Sequence, residues 1–306
     1  MGSSLRPLAV GGPRCTEVER LGRHLDCWVG HDLRQILVDR PARFLLLSTC
    51  REVRQEDVRL AIQGSTEVLC LEPLITELSQ LRRVLTEADL TRLHDLPAFE
   101  AGPGSRAAAD LPEISDAARL VSMVSHGPPG QGSLLSRAMD GWIALLAHVP
   151  LPETLLAQHG GQPETGGADP PPDPADWVGW LSAFGPTVDG GSIYHEVCNA
   201  APRHTRSLSI NTPHRSLQID DAGYRRLGGE DATDEALSAP GSGGQRPGST
   251  YDDLVAEHWR RLLAERPTVV PPHRRAQALA CLSATLLSIR TRQPERPQRL
   301  LEIAGF

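Results

Sequence analysis

Apolar and polar positions along the first hundred residues alternate between two periods. Leu8-Ala9-Val10 is a short apolar run that stops at Gly11-Gly12-Pro13, a turn signal. Thr16 with Glu19 three residues later has the form of a capping box, predicting a helix to about Arg23. Cys27-Trp28-Val29 is apolar again, and Asp32 caps a helix carrying Leu33, Ile36 and Leu37. Phe44–Leu47 is continuously apolar, the pattern of a strand covered on both faces. A helix from about Glu52 to Gln63, closed by Gly64, leads to a second buried strand, Glu67–Leu71. Leu74, Leu78, Leu81 and Leu85 then recur at helical spacing. Such alternation predicts βαβ units and a parallel sheet.

The second half reads differently. Arg119–Ser125 alternates as a strand, and Leu134–Leu146 forms a helix with Met139, Trp142 and Leu145. Glu153–Ala157, Trp177–Phe184, Ile193–Cys198, Ser207–Ile210 and Ser216–Ile219 are strand candidates without helices between them. That order predicts an antiparallel sheet in an α+β domain. The stretches 159–176 and 228–249 are rich in Gly with Pro or Ser and read as loops, the latter partly disordered. Helices follow at Tyr251–Ala264 and Arg274–Arg290. The Gly-, Ala- and Pro-rich run Ala101–Pro112 marks a crossing between two domains, 1–105 and 106–306.

Composition narrows the chemistry. The 306 residues suffice for about two domains of ordinary size. Net charge is −7, from 31 basic and 38 acidic residues, so a general nucleic-acid surface is not expected. The sequence contains no lysine. Schiff-base chemistry, a phosphate-loop lysine and a lysine proton donor are thereby excluded. Arginine does not replace them, because it stays charged. No apolar run reaches the roughly 18 residues of a membrane span, and the start through Arg6 has no apolar signal core. The six cysteines have no close pair, the usage of a reduced cytoplasmic protein without a metal site.

The segment His31–Leu85 resembles a known family. Asp32–Leu37, then Arg43-Phe44-Leu45-Leu46-Leu47-Ser48-Thr49, a helix, and Val68-Leu69-Cys70-Leu71-Glu72-Pro73-Leu74 are similar to the N-terminal domain of the glucose–fructose oxidoreductase / inositol dehydrogenase (Gfo/Idh/MocA) family. Gly132-Ser133-Leu134-Leu135 opening a helix, and the ending from Tyr251 through Arg290, resemble its second domain. The resemblance implies a truncated Rossmann-like parallel sheet domain, followed by an α+β domain with an open antiparallel sheet. It further implies NAD or NADP as cofactor, a sugar or polyol substrate, and homo-oligomer contacts through the C-terminal sheet.

Measured against that pattern, key residues differ. Only Gly11-Gly12-Pro13 follows the first strand, and Pro13 has no N–H for a pyrophosphate. In the family's register Leu8 belongs to the second strand, with the first strand and its glycine turn lacking. Gly11-Gly12 is either an ordinary tight turn or a remnant phosphate loop. The family's Glu-Lys-Pro falls on Leu71, Glu72 and Pro73, which reverses the charge at the lysine position. Glu72 is a surface or turn residue, or a general base. The helix motif of Asp, Gly, His and Asp falls on Ser136, Ala138, Asp140 and Ile143. Asp140 is either in a local i, i+3 pair with Arg137 on a partly exposed helix, or a base.

Ser48 and Thr49, with Glu72 and Pro73, are the candidate nucleotide-contacting residues, since ligands collect at the carboxyl ends of parallel strands. Cys50 beside Arg51 is an inert or an activated thiol. His195, His204 and His214 fit no compact metal motif, and Trp177 and Trp180 are core or a sugar-facing surface. The expectation is a divergent homologue with redox catalysis lost, a pseudoenzyme that binds a sugar-like ligand or a partner. Its alternative is an active NAD(P)-dependent oxidoreductase with Glu72 or Asp140 as base.

Overall fold

The computed structural model describes residues 6–12, 16–48, 55–85, 90–95, 98–99, 105, 120–161, 176–213, 215–221, 223–227, 236–238, 251–264 and 270–306. The chain divides into two compact units, residues 1–71 with 83–94, and residues 72–82 with 95–306.

The first unit opens with β1 (Ala9–Gly11), α1 (Thr16–His24), β2 (Trp28–Gly30) and α2 (Leu33–Asp39). β1 and β2 pair in parallel. Asp32 caps α2, its carboxylate accepting from the amides of Arg34 and Gln35. The Thr16 hydroxyl instead donates to Glu17, so the expected capping box is not formed. β3 (Phe44–Leu47), α3 (Gln55–Gln63) and β4 (Glu67–Cys70) make a second parallel unit, with β5 (Leu93–Asp95) on the other side of β4. Between them α4 (Leu78–Leu85) straddles the division of the units. This is the Rossmann-like parallel architecture expected, here in two separate small sheets. One detail differs. β3 is not covered on both faces, because it ends its sheet and Leu46 is 50% exposed. The buried strand is β4, where Val68, Leu69 and Cys70 are inaccessible.

The second unit is one eight-stranded sheet with helices on one face. Its strands are β6 (Leu120–His126), β7 (Leu156–Gly160), β8 (Trp180–Pro186), β9 (Ser192–Cys198), β10 (Thr205–Asn211), β11 (Ser216–Asp220), β12 (Gly223–Leu227) and β13 (Ala236–Ser238). The order is β13-β12-β11-β10-β6-β9-β8-β7. The sheet is mixed rather than wholly antiparallel, because β6 and β9 run parallel at its centre. Parallel neighbours need a crossover, and α5 (Leu134–Leu145) leaves β6 and packs back on β6 and β9. α5 is buried nearly all round, so it is the core of the unit and not an amphipathic cover. α6 (Tyr251–Ala264), α7 (Pro272–Thr291) and α8 (Pro297–Ala304) follow, with α7 packed on α5. β12, β13 and α8 lie outside the elements expected from sequence. No described helix is long and apolar enough to cross a membrane.

His195 on β9 shares inward parity with Ile193 and Val197 and is fully buried under α5. Its ring meets Trp142 edge-on at 4.7 Å. A Cβ on Gly141 would collide with its Nε2, so the glycine is what lets the helix sit this close. Neither ring nitrogen has a hydrogen-bond partner. Burial alone pushes its pKa down to about 3, so the ring is neutral in the fold. The unfolded chain takes up a proton below pH ~6.5 that the folded chain refuses until about pH 3. Stability therefore falls as pH drops through that window, by on the order of 5 kcal/mol at most from this residue. His195→Leu keeps the neutral packing and removes the titration. Urea unfolding at pH 7 and pH 5 should show a smaller acid loss in the variant than in the native chain; equal losses would contradict this account.

Candidate functional site

The polar residues of the second unit converge on α5. β10 reads Thr-Arg-Ser-Leu-Ser-Ile-Asn, and its inward parity carries Arg206 with Leu208 and Ile210. A guanidinium there, 5% exposed, needs anionic partners. It has two. Asp221, after β11, accepts from Arg206 Nη2 at 2.6 Å and from its Nε at 3.1 Å. Asp140, on α5, accepts from Arg206 Nη1 at 3.1 Å. The other Asp140 oxygen accepts the Phe99 amide at 2.8 Å. Burial pushes the Asp140 carboxyl up, against the pull of Arg206 and the Phe99 N–H. Both carboxylates raise the Arg206 pKa in spite of its burial, so it stays charged.

Arg137 sits one helical turn from Asp140 but does not pair with it. Its Nη1 donates to the His126 carbonyl at 3.2 Å and its Nη2 to the Gln131 carbonyl. Its guanidinium lies 5.9 Å from the centre of the Tyr251 ring, and its Nε has no partner. Both the expected i, i+3 ion pair and the partly exposed helix are thus corrected: Asp140 turns to β10, and Arg137 is 4% exposed. Burial pushes the Tyr251 hydroxyl up to about 12, with Arg137 and Arg206 opposing, and Asp140 and Glu72 adding to the rise. Glu72 and Asp140, the two candidate bases, therefore both lie within electrostatic reach of one phenol. His204 stacks obliquely on Tyr251 at 5.7 Å. Burial, then Arg206 and Arg137, pushes its pKa down to about 3.

The remaining expected residues are spread out. Ser48 is exposed just after β3, while Thr49 and Cys50 lie outside the described residues. Glu72 is half-buried and Pro73 buried after β4. Trp177 is core at 1% exposed, whereas Trp180 is 39% exposed on β8. His214 also lies outside the described residues. Among the described residues no three His, Cys, Asp or Glu side chains could hold a metal. Arg206, Asp221 and Tyr251 were not singled out from the sequence. A usable signal existed for Arg206, a charge at the inward parity of an otherwise ordinary strand.

The glycines after β1 do not fit a pyrophosphate loop. The Gly12 amide donates to the Gly30 carbonyl at 3.3 Å, and the Gly12 carbonyl accepts from His31 Nδ1 at 3.0 Å. A Cβ on Gly11 would come 2.5 Å from Ile36 Cδ1. Gly11 serves the packing of α2 and Gly12 lies against Val18 of α1, and the polar groups of Gly12 are already used. The ordinary-turn reading of Gly11-Gly12 is the one that fits.

The fold, a Rossmann-like parallel unit and a mixed-sheet unit, is shared with solved dehydrogenases. Levoglucosan dehydrogenase, solved with NADH and levoglucosan, matches with a TM-score of 0.71 and 13% identity, over 94% of this chain and 89% of that one. UDP-N-acetylglucosamine 3-dehydrogenase GnnA from Acidithiobacillus ferrooxidans matches at 0.65 and 14%, over 92% and 89%. GenD2 from gentamicin A biosynthesis, solved with NAD, matches at 0.66 and 16%, over 95% and 88%. No protein-family model matches the chain, and no curated protein matches its sequence. Identities this low show a shared fold, which supports the resemblance at that level.

The ion triad makes a stability prediction. Arg206→Met leaves two buried carboxylates facing no cation and should cost about 3–5 kcal/mol in urea unfolding. Adding Asp140→Asn should recover part of the loss. A single-variant cost below about 1 kcal/mol would show that the triad does not hold the unit together.

Proposed function

We propose that this protein is a redox-silent relative of NAD-dependent sugar dehydrogenases, a pseudoenzyme that keeps a polar ligand site in its second unit. The observation that supports this most is the engagement of Asp140. It stands where the resemblance puts an acid–base histidine, and both its oxygens are committed, one to Arg206 and one to the Phe99 amide. A general base has to reach the substrate proton, and one at Asp140 would have to compete with the guanidinium and the amide already held by its two oxygens. The absence of lysine and the occupied glycine turn point the same way. The ligand class implied is sugar-like, and the cysteine usage fits a reducing, cytoplasmic setting.

Titration calorimetry with NADH and NADPH tests this, together with turnover on levoglucosan and UDP-N-acetylglucosamine. The expected outcome is no heat at millimolar cofactor and no change in cofactor absorbance. Cofactor-dependent turnover would overturn the reading in favour of the second one, an active NAD(P)-dependent oxidoreductase with an altered site. The common reach of Glu72 and Asp140 to Tyr251 favours that alternative. In that case Glu72→Gln or Asp140→Asn would abolish turnover without unfolding the chain.

A partner role has its own support. The sheet face opposite α5 exposes Leu120, Leu156, Trp180 and Phe184, at 37%, 45%, 39% and 50%. Leu156 and Phe184 are direct cross-strand neighbours. An apolar strip of this kind is covered in a homo-oligomer, here through a second copy of the same face. Sedimentation at micromolar concentration should show a dimer that Phe184→Asp converts to monomer; a native monomer would count against the interface.

A further inference from the structure

Among the described residues three arginines are less than a tenth exposed: Arg137, Arg206 and Arg275. Two have carboxylates. Arg206 holds Asp140 and Asp221, and Arg275 holds Asp95 at 2.6 Å. Arg137 has none. Its hydrogen bonds go to two backbone carbonyls, and its buried Nε has no acceptor. A buried cation without a counter-charge is costly, and evolution ordinarily supplies an anion or removes the charge. Burial lowers the Arg137 pKa, and Arg206 adds to the fall, against the opposing pull of Tyr251, Asp140 and Cys198, none of which forms an ion pair with it.

The surroundings of Arg137 fit an anion. It belongs to the first turn of α5, a twelve-residue helix whose N-terminus carries the positive end of the helix dipole. Ser133 caps the Ser136 amide at 3.1 Å, but the amides of Leu134 and Leu135 have no acceptor among the described residues. The preceding loop turns through Gly130 and Gly132, both at positive φ, and a Cβ on Gly130 would meet nothing within 4 Å. On Gly132 a Cβ would lie 3.5 Å from the Tyr251 hydroxyl oxygen, so that phenol stands beside the same turn. Asp140, the nearest carboxylate on the helix, is consumed by Arg206 and the Phe99 amide.

We propose that the first turn of α5, with Arg137 beneath it and Tyr251 beside it, binds an oxyanion: the phosphate or carboxylate of a small polar ligand. The proposal rests on the ligand-binding reading above and specifies its charge. Leu134 and Leu135 amides and the Tyr251 hydroxyl donate, and the guanidinium supplies the counter-charge.

Inorganic phosphate is the probe. At constant ionic strength, 5 mM phosphate in place of chloride should raise the melting temperature of the native chain by about 3 °C or more. Arg137→Gln should abolish that rise, and Tyr251→Phe should reduce it. Arg225→Gln, at an exposed position on β12, should leave it unchanged. A rise that survives in Arg137→Gln, or none in the native chain, overturns the assignment. Should Arg137→Gln fail to fold, hydrogen exchange of the native chain decides. Phosphate should slow exchange at Leu134 and Leu135, and unchanged exchange there overturns the site. Glucose 6-phosphate and glucose separate the two levels. Binding of glucose with no response to either phosphate sinks the oxyanion and leaves the sugar-site reading standing. Tighter binding of the phosphorylated sugar supports both.

Discussion

Arg206 is the constraint around which the second unit is organised. A guanidinium on the helix-facing side of a central sheet is tolerable only if carboxylates meet it there. One has to come from the helix above and one from beside the sheet. That requirement fixes the rotation of α5, because Asp140 must point down at β10. It also fixes the approach of Phe99, whose amide reaches the other Asp140 oxygen and whose ring lies 5.5 Å from the guanidinium carbon. Four pieces of chain distant in sequence are thereby held at one point. Asp140 is then a structural group first, and any chemistry there would have to compete with its two existing partners.

Gly141 and His195 show the same helix constrained from its other side. The ring of His195 fills the space that a side chain at Gly141 would take. Packing of this density explains why a neutral imidazole is retained where two unpaired nitrogens are a cost. α5 is thus located by an ion triad at one residue and by a close approach at the next. Arg137, three residues before Asp140, plays no such locating part. It neither closes a charge pair nor fills an apolar gap.

Much of this was legible in the chain. The two strand–helix textures, the Asp32 cap and the Leu134–Leu146 helix follow from period, turn residues and capping chemistry. The exposure of Leu46 was not, because an edge strand and a central parallel strand have the same apolar sequence. The parallel pairing of β6 with β9 was not, because strand parity carries no direction. Arg206 was half legible. Its inward parity announces a buried charge, but its partners lie 66 and 15 residues away, and no local spacing connects them. The i, i+3 rule offered Arg137 as the partner of Asp140; a pairing with Arg206 on β10 took its place.

The protonation states around Tyr251 bear on what such a site can do. General acid–base catalysis needs a group that changes charge near the working pH. His204, pushed down to about 3, is neutral at pH 7, and Tyr251, pushed up to about 12, is protonated there. Arg206 is charged at any pH the protein survives. A fixed set of donors and charges of this kind discriminates ligands by shape and charge, because nothing in it must move for the ligand to be held. The absence of lysine acts in the same direction across the whole chain, since every basic side chain other than histidine is a guanidinium that keeps its charge. Tyr251 and His204, held protonated and neutral at pH 7, therefore enter such a site as fixed polar groups rather than as titrating ones.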